Sequence, residues 1–475
     1  MIQALDSCVM SFNETVLIPG SSFYVDLAAL DARHPIHYSR RLLIFRCISS
    51  TQRDEQLAAL KTGLQALISR CPILGGKIVA LPPEDAVNGK EDWRTIVPDK
   101  GIELVVKDLR SAIVSFEELE AADFPAMQLP YDLLVPVPED ITNERPFAAC
   151  KVQFSAINGG TIITWAMSHS VADGSGTNEL MRILSEETRL AQEPNEARTT
   201  PVTTNLGLDR NFLRDITSDI PFNIEQHPAY RLEATSPPNT SQSGLSLTHP
   251  FEATSAEIPV FLRISPKGLA QLKADATTPG ELPISTHDAL SALIWRSVLM
   301  VRRRRSAAGQ SLPTSTVGSL FLPSDARHHL NLRQSYIGNA VYQLTAALDL
   351  GTLLSPSGLQ HAALALRKAI KAVTPSLVAS IMAETRERWI GWQFVATASS
   401  TGVAMGTDWT SGVVYGDDWG EAFGPVVRYR YPSGQPFNCV LPKLPDGTAE
   451  VIVCVMPDEV ELLKSADCFG KYLEK

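Results

Sequence analysis

The run Thr161-Ile162-Ile163-Thr164-Trp165-Ala166-Met167-Ser168 ends in His169, and Ser170-Val171-Ala172-Asp173-Gly174-Ser175-Gly176 follows. A neutral imidazole, with an ordinary pKa near ~6.5, accepts a proton at cellular pH. Such a base on a hydroxyl or an amine is typically worth ~10²–10⁴-fold in rate. Asp173 either orients that ring or points away and locks the turn by pairing with an arginine. Gly174 and Gly176 permit φ > 0 and close backbone approach. A single histidine at a strand end is more often simply satisfied in a core. The combination of strand, histidine, small-residue turn and glycines shifts the reading to a site.

The neighbouring elements have to deliver this histidine. The spacing of Leu180, Ile183, Leu184 and Leu190 predicts a helix just after the turn. Upstream, Ala148 to Ile157 alternates Cys150, Val152, Phe154 and Ala156 with polar neighbours, which predicts a strand. Asn158-Gly159-Gly160 then turns it into the His169 strand as a hairpin. A strand begins near Arg41 and ends at Ile44-Phe45-Arg46-Cys47-Ile48. Arg53 to Arg70 has an apolar face of Leu57, Leu60, Leu64, Leu67 and Ile68 and is stopped by Pro72, so a helix is expected there.

The second half repeats this alternation of strands and helices. Pro259 to Ile264 reads as a strand and Lys267 to Ala276 as a helix. Ser285 and Asp288 approximate a capping box. They open a helix whose buried face should hold Leu290, Leu293, Ile294, Ser297, Val298 and Val301. Arg302-Arg303-Arg304-Arg305 closes that helix, where cations oppose the helix dipole. Leu359 to Val373 and Ser376 to Trp389 read as helices, Val403 to Trp409 as a short strand or loop, and Val440 to Val455 as a closing hairpin. Between the halves, roughly Ala191 to Pro250 is rich in Pro, Ser and Thr and poor in periodicity, which marks a crossover. We divide the chain into residues 1–195, a linker 196–255, and residues 256–475.

Composition narrows the function classes. The chain has 475 residues, 44% hydrophobic and 20% charged, enough for a large core in a soluble protein. A formal net charge of −10 argues against nucleic-acid or anionic-membrane binding. No apolar run approaches the ~18 residues of a membrane span. The N-terminus carries no basic secretory signal. Seven cysteines without Cys-x-x-Cys spacing read as reduced thiols of a cytoplasmic protein. No metal-ligating, P-loop or dinucleotide pattern is present.

Several blocks now line up in order. His169-Ser170-Val171-Ala172-Asp173-Gly174 resembles the HxxxDG motif of the BAHD-type acyl-CoA-dependent acyltransferases. The chain is most similar to their fungal trichothecene O-acetyltransferase-like branch. Ser285-Thr286-His287-Asp288-Ala289-Leu290 through Trp295-Arg296 resembles a helix block of that branch. Asp325-Ala326-Arg327 with Tyr336-Ile337-Gly338-Asn339 resembles another. Asp418-Trp419-Gly420 through Pro425 is similar to the DFG-type motif in its fungal form, with Trp419 in place of phenylalanine and without the plant ending.

The resemblance implies a mixed α/β (α+β) fold of two chloramphenicol-acetyltransferase-like domains. Each would have a mixed sheet and flanking helices, with an active-site tunnel between them. It implies acyl-CoA, with acetyl-CoA as the leading donor, as co-substrate rather than a resident cofactor. The acceptor would be a small-molecule alcohol, a terpenoid, alkaloid or polyketide of fungal specialised metabolism. Neither a metal nor a nucleic-acid partner is implied, and the working unit would be a monomer. His169 would be the general base, Asp173 its structural or orienting partner, and Thr407 and Trp409 the oxyanion donors. Arg327 would brace Asp173, with Asp418 as the second candidate partner, while Asp418 and Gly420 would shape a structural loop. Ser285, Arg302 and Arg303 are the candidate coenzyme A contacts, the arginines because they belong to the densest positive charge in an acidic chain. Two other readings remain open: a condensation-type transferase using a carrier-protein thioester, and a non-acylating cyclase or binding protein on the same scaffold.

Overall fold

A computed structural model describes residues 13–32, 37–80, 94–138, 146–193, 206–232, 257–306, 312–387, 390–392, 401–408, 414–432 and 437–473. The first half carries β1 (Glu14–Pro19), β2 (Tyr38–Arg46), β3 (Gly76–Ala80), β4 (Arg94–Pro98), β5 (Gly101–Asp108), β6 (Phe147–Ala148), β7 (Cys150–Ile157) and β8 (Gly160–Ser168). After β9 (Tyr230–Leu232) in the crossover come β10 (Ile258–Ile264), β11 (Val317–Asp325), β12 (Val341–Asp349), β13 (Ile390–Trp392), β14 (Gly402–Asp408), β15 (Arg428–Arg430), β16 (Asn438–Val440) and β17 (Ala449–Val455).

Among the described residues these strands build two six-stranded mixed sheets, β1-β5-β7-β8-β2-β15 and β10-β17-β16-β14-β11-β12. In the first, β5 and β7 run parallel and the other neighbours antiparallel. In the second, β14 runs parallel to both β11 and β16. Helices flank each sheet, and the fold is the two-domain mixed α/β arrangement expected.

Strand β8 is central because every residue in it is buried. Its β-branched and aromatic side chains suit a strand covered on both faces. The hairpin forms as expected, with Ile157 opposite Gly160 and Gly159 at φ +75°. Strand β7 is covered on both faces. Gln153 and Ser155 are fully buried too. Gln153 Nε2 donates to Leu133 O at 2.8 Å and to Ser155 Oγ at 2.8 Å, so the polar face lies under a second layer of chain.

The early helix spans Ser50–Arg70 and is capped by Ser49, whose Oγ accepts the Gln52 N–H. It packs against the helix Gly174–Leu190. The second core collects around the helix Thr286–Ser306, and the six residues expected on its buried face are buried.

Sheet membership and chain order part company once. Strand β15, from residues 428–430, pairs antiparallel with β2 and so extends the first sheet. Within the crossover, the described residues include a short helix, Asn211–Arg214, and β9, which pairs with β13.

Candidate active site

His169 sits one residue past β8, half-buried where the two halves meet. Its backbone N–H donates to His37 O at 3.0 Å. The two imidazole rings lie 4.8 Å apart, centroid to centroid, tilted by 40°. From the opposite half, Asn339 contacts His169 twice. Asn339 Oδ1 lies 2.9 Å from the ring Nδ1, and Asn339 Nδ2 donates to the His169 carbonyl at 2.8 Å. Burial pushes the imidazole pKa below its ordinary value. The nearby Asp173 charge and the Asn339 contact pull the other way, and Arg41 adds to the lowering.

Asp173 does not hold the ring. It is the N-cap of the helix Gly174–Leu190, its Oδ1 accepting the Gly176 N–H at 2.9 Å. Its Oδ2 accepts the Ala340 N–H at 2.9 Å. Arg327 closes on the carboxylate with two parallel bonds, Nη1 to Oδ2 at 2.8 Å and Nη2 to Oδ1 at 2.9 Å. Both side chains are buried, at 0% and 2% exposure. Burial raises the Asp173 carboxyl, but Arg327 and the two N–H donors outweigh it, and the group lies below the ordinary aspartate value. The same guanidinium donates to Tyr336 O and Gly338 O, each at 3.0 Å. Arg327 therefore pairs with Asp173 and not with Asp418, and it ties the His169 turn to the Tyr336–Asn339 segment.

Of the two uses expected of the glycines, close approach is seen at Gly176 and positive φ at neither. Neither Gly174 nor Gly176 has positive φ. At Gly176 an added Cβ would lie 2.9 Å from Ala172 Cβ, so close packing excludes a side chain there. The backbone conformation that favours glycine belongs to Gly338, at φ +156°, where a Cβ would meet Tyr336 Oη at 2.6 Å.

Behind Asn339 lies a buried pair with no clear signature in the sequence. Asp31, on the short helix Ala29–Ala32, accepts from Asn339 N and Nδ2 at Oδ1, both at 2.8 Å. Its Oδ2 takes Arg210 Nε at 2.9 Å. Arg210 also donates to Ile337 O at 2.9 Å and Val171 O at 2.6 Å. Burial raises the Asp31 carboxyl, and Arg210 and Asn339 oppose it. Asn339 was legible only as part of a block, and Asp31 and Arg210 had no spacing to betray them.

Asp418, Gly420, Ser285 and Arg302 make contacts of their own. Asp418 is on the surface, 74% exposed, and accepts the Gly420 N–H at 2.9 Å. Gly420 has φ +80°. Trp419 between them is buried edge-on to Phe45 at 5.4 Å. Gln192 holds this loop through Trp419 O and the Ala422 N–H, at 2.7 and 2.8 Å. Ser285 is a helix cap. Its Oγ accepts the Asp288 N–H at 3.1 Å, and Asp288 Oδ2 accepts the Ser285 N–H and hydroxyl.

Arg302 corrects the expected phosphate cluster. Its guanidinium turns inward, donating to Gly402 O at 2.7 Å and lying 3.6 Å from Glu257. A cation committed to buried acceptors is not part of an open anion site. Arg304 pairs with Asp467 at 3.1 Å, and Arg303 is half-buried on the same helix end. Thr407 lies in β14, its backbone opposite Cys439, next to a register shift between Met405 and Thr407. Trp409 lies outside the described residues. Among the described residues no group of His, Cys, Asp and Glu is arranged to hold a metal ion. No helix there is long and apolar enough to cross a membrane.

Residues 38–187 match the trichothecene 3-O-acetyltransferase-like N-terminal domain. The chain is 29% identical over 470 residues to the enoyl-CoA isomerase/hydratase claC of Penicillium crustosum, covering 95% of this chain and 51% of that protein. The chain thus spans about half the length of that relative. It is 25% identical over 478 residues to the trichothecene 3-O-acetyltransferase TRI101 of Fusarium sporotrichioides, covering 95% of this chain and 97% of that one. The crystal structure of F. sporotrichioides TRI101 complexed with coenzyme A and T-2 superposes with a TM-score of 0.76 at 22% identity. That match covers 95% of this chain and 99% of the other.

Proposed function

We propose that the chain is a member of the trichothecene O-acetyltransferase-like branch of the BAHD-type acyltransferases, and that it moves an acyl group from a coenzyme A thioester to a hydroxyl of a small fungal metabolite, with His169 as general base. The observation that carries the reading is the position of His169. It stands at the end of the central strand of one sheet, with its ring and its carbonyl both held by Asn339 of the other half. His169 is partly exposed, and an imidazole so placed is available to a substrate between the halves. The relatives support the donor, since TRI101 was crystallised with coenzyme A. Acetyl is the acyl group we propose, and the division at residues 196–255 is where we place the passage from one half to the other.

The reaction balances without a covalent acyl-enzyme. His169 takes the acceptor hydroxyl proton as the oxygen attacks the thioester carbonyl. The tetrahedral oxyanion collapses, the C–S bond breaks, and the imidazolium returns the proton to the coenzyme A thiolate. We assign the oxyanion donors to the β14 end, at Thr407 and Trp409. One such donor is worth roughly 3–4 kcal/mol of barrier. We propose that the protein works as a cytoplasmic monomer, because both halves of the site come from one chain.

The test is mass spectrometry of the purified protein with acetyl-CoA and extracts of the source organism. The expected result is an acetylated product together with released coenzyme A thiol. His169→Ala should lower kcat by roughly 10²–10⁴-fold with an unchanged fold by circular dichroism. Full activity in that variant rejects the base assignment.

A further inference from the structure

We propose that Asn339 is the positioning residue that sets the tautomer of His169, and that the buried Asp31–Arg210 pair holds Asn339 in the orientation this requires. The proposal rests on the reading of His169 as the base and says which of its nitrogens does the work.

Two of the groups around the Asn339 side chain have a fixed hydrogen-bonding role. The Asn339 side-chain atom that faces the His169 carbonyl at 2.8 Å must be a donor, because a backbone carbonyl only accepts. The same atom lies 2.8 Å from Asp31 Oδ1. That oxygen already accepts the Asn339 backbone N–H, also at 2.8 Å, and the other carboxylate oxygen takes Arg210 Nε. Each of these donors is therefore aimed at a carboxyl oxygen of Asp31. A flipped Asn339 amide would place its oxygen against both the carbonyl and the carboxylate with no proton between them. The atom on those two acceptors is Nδ2, and the one facing the imidazole is Oδ1.

The amide oxygen has no proton to give. Its 2.9 Å contact with His169 Nδ1 is a hydrogen bond only when Nδ1 carries the hydrogen. In a neutral imidazole one nitrogen is then the donor and the other the acceptor. Nδ1–H leaves the lone pair on Nε2, so Nε2 is the atom that takes the hydroxyl proton. After transfer the imidazolium keeps its Nδ1–H on the amide oxygen and carries the new proton on Nε2, and that proton is the one returned to the thiolate.

The support behind Asn339 is drawn from two separate segments. Asp31 and Arg210 are 0% and 1% exposed. Arg210 comes from the crossover and also grips Val171 O inside the His169 turn and Ile337 O beside Asn339. The crossover thus clamps both sides of the contact it orients.

The experiment reads the tautomer directly. Protein labelled with 15N-histidine is studied by long-range 1H–15N correlation, with His169→Gln identifying the His169 signals by their loss. The expected spectrum shows protonated Nδ1 and unprotonated Nε2 in the wild type. In Asn339→Ala the population should move toward Nε2–H, and kcat should fall by roughly 10²–10⁴-fold while KM stays within a few-fold. A wild-type spectrum with Nε2–H overturns the proposal, even if Asn339→Ala fails to fold. So does Asn339→Ala with the Nδ1–H tautomer and wild-type kcat. Activity that survives His169→Ala rejects the base instead, and leaves the tautomer measurement standing, so the two failures are told apart.

Discussion

At the scale of single residues, His169 is defined by what surrounds its ring. Asp173 attracts the protonated form without touching it, Arg41 repels it, His37 packs against one side, and Asn339 holds Nδ1. Burial is the largest influence and disfavours the charged imidazolium. The neutral base therefore survives to lower pH than an exposed histidine would allow. The acid limb of the kcat/KM profile should fall below pH ~6.5, the ordinary imidazole value. Activity should be present above that lowered pKa and lost as pH falls through it. A limb at or above ~6.5 would show that the ring in solution is less shielded than the structure shows.

At the scale of elements, two helix starts carry opposite lessons. The Asp173 cap is also one end of a buried ion pair, so it joins the helix Gly174–Leu190 to the second half of the chain. Removing Arg327 strands a carboxylate that cannot reach water. Arg327→Ala should cost about 3–5 kcal/mol in urea unfolding and lower turnover through the displaced turn. An inactive variant with unchanged stability would contradict the bracing role. Ser285 caps its helix through Asp288. Ser285→Ala should cost about 1 kcal/mol of stability and leave KM for acetyl-CoA unchanged. A several-fold rise in KM would restore it as a coenzyme contact.

At the scale of the whole molecule, the halves are joined by chain exchange as well as by the site. Strand β15 crosses into the first sheet, and its Arg430 pairs with Glu450 of β17 in the second through bonds of 2.7 and 3.0 Å. Arg430 also donates to the carbonyls of Asp123 and Phe124. With both side chains about 2–3% exposed, Glu450→Ala should destabilise by about 3–5 kcal/mol, because the arginine is left buried and uncompensated. The double variant Arg430→Met/Glu450→Leu should lose less than the sum of the two single changes, measured by chemical denaturation. Additive losses would mean the two groups do not act as a unit.

Local pattern alone determined much of this protein. An unbroken apolar run located β8, alternation located β7, and period-3.6 spacing located the long helices, because burial of one face or both writes itself into neighbouring residues. The order of short motifs pointed to His169, Asp173 and Arg327, since each sits in a turn or cap with its own residue chemistry. Only the tertiary structure decided what holds the imidazole. Asn339 and His169 are 170 positions apart and Asn339 and Asp31 are 308 apart. A hydrogen bond across such a separation leaves no periodicity in either partner's neighbourhood. The same holds for Arg302, whose inward turn onto Gly402 and Glu257 follows from where β14 passes and not from the run of arginines around it. Charge along the chain shows how much cation is present, whereas packing decides which acceptors it faces.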